Sequence, residues 1–173
     1  MSRTVLVVGG GGREHALCLA LSTSASIDEI HTTPGNAGTE HYGTNHNVAA
    51  SDIAGLVNLS KQLDVDFVVV GPEAPLCDGL ADQLLGAGIP CFGPQQVHAE
   101  LESSKLFAKK AMNAAGVPTA DYDVLDATSD IDAYLDARSK EPWVIKRDVL
   151  AGGKGVVVTA DRTEAVEFIQ QSI

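Results

Sequence analysis

The feature that most constrains this chain lies in its first twenty residues. Thr4–Val8 is an unbroken β-branched and aliphatic run that stops at four consecutive glycines, Gly9–Gly12. Arg13–Leu21 follows with Leu17, Ala20 and Leu21 at helical spacing. A run apolar on both faces suits a central strand of a parallel sheet covered on both sides. Strand, glycine turn and helix in that order open a doubly wound α/β fold.

The alternation continues. Glu29–Thr33 is predicted as a second strand, ended by the turn cluster Pro34–Gly38. Asp52 is placed to cap a helix through Leu63, striped by Ile53, Leu56, Val57 and Leu59. Asp66–Val70 reads as a third strand, Pro75–Leu85 as a helix with proline near its start, and Ile89–Phe92 as a fourth strand. The texture then changes. Ser103–Ala115 is strongly helical, and Asp121–Asp126 and Trp143–Lys146 are predicted as strands on either side of a helix near 129–139. The glycine-rich stretch Ala151–Gly155 precedes a Val156–Thr159 strand, and a helix begins at Asp161. The organisation predicted is two domains, 1–102 and 103–173, without internal repeats.

Composition excludes several classes of function. A net charge of −11 with no run of Lys and Arg offers no footprint for nucleic acid. The Val5–Val8 run is too short for a secretion signal or a membrane span, so a soluble, cytoplasmic protein with no membrane partner is expected. Three widely spaced cysteines, Cys18, Cys77 and Cys91, read as reduced, packed thiols. The five histidines show no metal-ligand spacing, and no metal site is assigned within the chain.

The chemistry must therefore sit in local loops. Gly10, Gly11 and Gly12 lie where bare amides and a helix N-terminus favour an anion, although the same glycines also suit a tight turn. Arg13 and Glu14 stand beside them, either to orient a ligand or to pair with each other. A dinucleotide-binding turn is the obvious competitor. Against it, Glu14 occupies the third glycine position of that fingerprint, and Thr32-Thr33-Pro34 stands where an acidic residue should end the second strand. Asn36 and Glu73 follow strands and belong on the rim where ligands of such sheets bind, Asn36 alternatively as an Asx-turn residue. Lys105, Lys146 and Lys154 form a phosphate-seeking set. Gly152, Gly153 and Gly155 make a flap around Lys154 that lacks P-loop spacing and is expected to be mobile without nucleotide.

Taken together, Gly9–Ala16 (GGGGREHA), Pro34–Thr39 (PGNAGT), Gly71–Leu76 (GPEAPL), Phe92–Pro94, Leu101–Lys105 (LESSK) and Leu150–Gly155 (LAGGKG) resemble the phosphoribosylamine–glycine ligase family, in family order and over essentially the whole chain. The resemblance implies a Rossmann-like parallel-sheet N-terminal domain followed by an ATP-grasp α+β lobe, incomplete in this chain. It implies ATP-dependent ligation of glycine to phosphoribosylamine through glycyl phosphate in purine biosynthesis. Gly10–Glu14, Asn36 and Glu73 would hold phosphoribosylamine; Lys105, Lys146 and the 152–155 flap with Lys154 would hold ATP. Mg²⁺ ligands are expected beyond residue 173, and the chain alone is expected to be inactive. Arg147 and Val149 depart from the small residues usual in the family. Two alternatives remain at this point: a non-catalytic phosphoribosyl-binding module, and a dinucleotide-binding oxidoreductase domain.

Overall fold

The computed structural model describes residues 3–138, 142–150 and 154–173. They form two compact units, Met1–Glu100 and Leu101–Ile173.

The first unit is built on a parallel sheet of β1 (Thr4–Gly9), β2 (Glu29–Pro34), β3 (Thr44–Asn45), β4 (Phe67–Val70) and β5 (Cys91–Phe92), in the order β3-β2-β1-β4-β5. Central β1 is covered on both faces, as its composition requires. Leu6 and Val8 pack with Leu56, Leu80 and Leu84, and Val5 and Val7 pack with Cys18 and Ile30. Helices α1 (Gly12–Ser22), α2 (Ile53–Gln62), α3 (Ala74–Cys77) and α4 (Leu80–Gly86) connect the strands, and α5 (Gln96–Ser103) follows β5. Asp52 caps α2 by accepting the Gly55 amide at 2.9 Å.

Several expectations need correction. In α1 the fully buried residue is Cys18, while Ala20 faces solvent. The helix expected over Pro75–Leu85 is two helices, because Gly79 adopts a left-handed φ of 85° and breaks it. The helix expected over Ser103–Ala115 begins at Lys105, where Ser104 caps it through the Phe107 amide at 3.0 Å. Edge strand β3 and helix α5 are additions.

The second unit contains α6 (Lys105–Ala114), α7 (Ile131–Asp136), the antiparallel pair β6 (Trp143–Lys146) and β7 (Val156–Thr159), and α8 (Arg162–Gln170). Trp143 and Ile145 pack on the cluster of Leu135, Ala165 and Ile169. No strand forms over Asp121–Asp126. Its carboxylates turn to local partners instead: Asp123 takes Arg138 at 2.6 Å and the Tyr134 hydroxyl at 3.1 Å, and Asp126 closes a turn through the Thr128 amide at 2.9 Å. No helix among the described residues is long and apolar enough to cross a membrane. All three cysteines are free, and burial pushes the Cys91 thiol up to about 11.

Candidate functional site

Because β1 lies between β2 and β4 and all three run parallel, the loops that follow them share the carboxyl edge of the sheet. Ligands of open parallel sheets bind at this edge, where the strand order reverses. Gly10, Gly11, Asn36 and Glu73 all stand there, each in the loop its strand releases.

Asn36 knits the first two loops together. Its Nδ2 donates to the carbonyls of Gly10 and Gly11, both at 3.1 Å, and its Oδ1 accepts from the amides of Gly38 at 2.7 Å and Thr39 at 3.1 Å. Both donors and both acceptor positions are used within the protein. The Asx-turn reading of this residue is the one the structure shows. The loops approach so closely that a Cβ on Gly10 would come within 2.7 Å of the Gly35 carbonyl oxygen. Thr39 and Asn45 complete the clasp: Asn45 Nδ2 donates to the Asn36 carbonyl at 2.8 Å, and Thr39 Oγ1 meets Asn45 Oδ1 at 2.7 Å.

Glu14 packs from the first loop against the third. Its carboxylate is buried, accepting the Gly11 amide at 2.6 Å and Arg13 Nε at 2.9 Å. A side chain at Gly71 would collide with it. Burial opposes its ionisation, but the Arg13 bond and the Gly11 amide outweigh burial and hold the carboxyl below its usual range. Arg13 is itself half-exposed above it. Glu73 is partly exposed at the head of α3, and its carboxylate has no hydrogen-bond partner among the described residues. Gly12 is the exposed first residue of α1.

In the second unit, alternation along β6 puts Lys146 beside Val144, with Val156 and Val158 opposite them on β7. All four are exposed, Val144 to 58% and Val158 to 65%, so this face is a bare apolar patch carrying one ammonium. Arg147 points to the other side. Its guanidinium lies 5.0 Å from the Phe168 ring centroid and donates to Ser172 Oγ at 3.0 Å, so this departure from the family pattern is absorbed by α8. Lys105 Nζ donates to the Val149 carbonyl at 2.9 Å. Asp148, which the sequence reading passed over, binds the Ser104 hydroxyl and the Leu106 amide at 3.0 Å each, anchoring its loop to the start of α6. Lys154 is exposed, and the buried Gly155 accepts the Arg147 amide at 2.8 Å. Gly152 and Gly153, with the expected mobility of the flap, lie outside the described residues.

A second missed group is His31 with His46, 3.1 Å apart between Nδ1 and Nε2, with Glu29 3.3 Å from His31 on its other nitrogen. Fifteen residues of separation hide this pair from any spacing rule. A hollow of about 570 Å³ bounded by Arg3, Asp66, Phe67 and Pro90 opens on the amino-terminal edge of the sheet, away from every candidate residue. Among the described residues no three His, Cys, Asp or Glu side chains gather so as to hold a metal.

A Rossmann-like domain with its loops clasped at the carboxyl edge, followed by a lysine-bearing strand pair, defines the opening of an ATP-grasp protein. The family models agree in both parts: residues 3–102 match the N domain of phosphoribosylglycinamide synthetase and residues 103–173 match its ATP-grasp (A) domain. The chain belongs to this family. It is 47% identical over 165 residues to phosphoribosylamine–glycine ligase of Mycobacterium bovis, covering 93% of this chain and 39% of that protein. The corresponding Streptomyces coelicolor ligase is 51% identical over 157 residues, covering 91% and 38%. The crystal structure of the Thermotoga maritima ligase superposes with a TM-score of 0.73 at 30% identity, over 98% of this chain and 38% of that one. The chain thus spans well under half the length of the relatives it matches.

Proposed function

We propose that this chain supplies the phosphoribosylamine-binding domain and part of the first nucleotide-binding lobe of a cytoplasmic enzyme that joins glycine to phosphoribosylamine at the expense of ATP. The observation that carries the reading is the clasp of the first two loops at one sheet edge, with Glu14 packed against Gly71 of the third, in a chain that both family models match. Gly10, Gly11, Gly12, Arg13 and Glu73 form the rim toward phosphoribosylamine, and Glu73 is the carboxylate left to accept from its amine or hydroxyls. Asn36 and Glu14 shape that rim from beneath, because their polar atoms are already engaged.

In the second unit the bare face of β6 and β7 offers apolar surface to a flat base, and Lys146 offers charge to phosphate. Lys105 would exchange its carbonyl partner for a phosphate oxygen, and the Gly152, Gly153, Lys154 and Gly155 segment would cover it. Phosphoryl transfer of this kind depends on positioning and on neutralising charge at the transferring group. Mg²⁺ would supply further neutralisation. No step is assigned through it.

The test is reaction of the purified chain, and of a whole protein containing it, with ATP, Mg²⁺, glycine and freshly prepared phosphoribosylamine. Released phosphate and product mass are measured. The whole protein is expected to form glycinamide ribonucleotide and the chain alone none. Absence of product from the whole protein would overturn the proposal.

A further inference from the structure

Glycine turns between a first strand and a first helix ordinarily leave their amides open to a ligand phosphate, which the helix dipole also favours. In this chain the position is filled from within. Glu14 is 3% exposed, and its Oε2 sits 2.6 Å from the Gly11 amide at the mouth of α1. The niche that receives it is cut by a glycine ending β1 and one just after β4: a Cβ on Gly9 would stand 2.6 Å from Glu14 Cδ, and one on Gly71 would strike Oε1. Arg13 covers the remaining edge of the carboxylate at 2.9 Å. From the other side, Asn36 engages the carbonyls of Gly10 and Gly11.

We infer that Glu14 is a built-in counter-anion of α1 that closes the glycine turn to ligand phosphate, so that this crevice rejects dinucleotides. The reason is electrostatic. A second anion at the first-turn amides would approach an ionised carboxylate in a desolvated niche, where like charges repel far more strongly than in water. The partial positive charge of the helix end, which would draw that anion in, is already offset. A phosphate on any ligand of this domain must then be held away from Gly11. The inference concerns the first domain only and does not depend on what the whole enzyme makes.

The experiment uses the ¹⁵N-labelled chain titrated with inorganic pyrophosphate while the amides of Gly11, Gly12 and Arg13 are followed by NMR. Wild type is expected to show no saturable shift at these amides at millimolar pyrophosphate. Glu14→Ala and Glu14→Gln are expected to gain saturable binding there, about tenfold or more tighter than wild type. Glu100→Gln, an exposed position, controls for the change in net charge and should gain nothing. Saturable binding by wild type with a shift at the Gly11 amide would overturn the inference without reference to any variant. So would a folded Glu14→Gln that gains nothing, or an equal gain in Glu100→Gln. If Glu14→Ala fails to fold by circular dichroism, Glu14→Gln and the wild-type titration decide.

Discussion

The two units hold their candidate residues in opposite ways. In the first, the polar groups at the sheet edge other than Glu73 are bonded within the unit: Asn36 to two carbonyls and two amides, and Glu14 to an amide and a guanidinium. In the second, Lys146 and Lys154 are exposed, and Lys146 stands on an apolar face with no cover among the described residues. The first unit carries a finished shape, whose selectivity lies in what its internal bonds leave open. The second presents charge and apolar surface whose energetic return comes only with a ligand. Mutations in the first should therefore be read in stability, and mutations in the second in ligand use.

Lys146→Ala gives the largest expected effect. In the whole enzyme it should weaken ATP use roughly ten- to a hundred-fold, the loss of one charge-assisted phosphate contact of about 1.5–3 kcal/mol. Phosphoribosylamine dependence should be much less affected. Stability of the chain should change by about 0.5 kcal/mol or less, because the side chain is exposed. Steady-state kinetics with each substrate varied, together with urea unfolding, checks both halves. Unchanged ATP kinetics would make Lys146 a solvated strand end and erase the contrast between the units.

Asn36→Ala reverses the pattern. It strands two amides and two carbonyls at a tight crossing and should cost about 2 kcal/mol in urea unfolding of the first unit. A loss near zero would mean that water replaces the clasp and that the shape is not preorganised. Arg147→Ala is expected to cost about 1 kcal/mol in the second unit, through the lost stack on Phe168 and the bond to Ser172, without altering ATP use. If ATP use falls with it, Arg147 belongs to the nucleotide face after all.

The smallest effect is a pH dependence confined to the first unit. Burial, and then the neighbouring His31, hold His46 below its ordinary value of 6.5. A histidine depressed in the folded state favours folding while neutral. Its contribution is present above the unfolded value and is lost as pH falls through the folded one. The urea midpoint should therefore drift down as pH falls below about 6.5, and His46→Asn should flatten the drift. Glu14, also held low, adds its own loss at more acidic pH, as its carboxyl protonates below the ordinary 4.5.

Local composition by itself determined the strand–turn–helix opening, the parallel first domain and the family. Apolar runs ended by glycine and proline leave few alternatives, and six loop motifs in order are specific. It also placed Lys146 on a strand and Asp52 on a cap. Asp121–Asp126 misled because strand formation needs a partner edge, and its carboxylates found nearer donors in Tyr134 and Arg138. Which candidates face a ligand and which hold the site together was decided only in three dimensions. Asn36 is spent in part on bonds to the Gly10–Gly11 loop, which the chain brings alongside through parallel pairing of β1 with β2. Gly71 makes room for a carboxylate fifty-seven residues earlier in the sequence. Where the bonds run between loops, as from Asn36 to Gly10 and Gly11, saturation is a property of neighbours in space that no local pattern encodes.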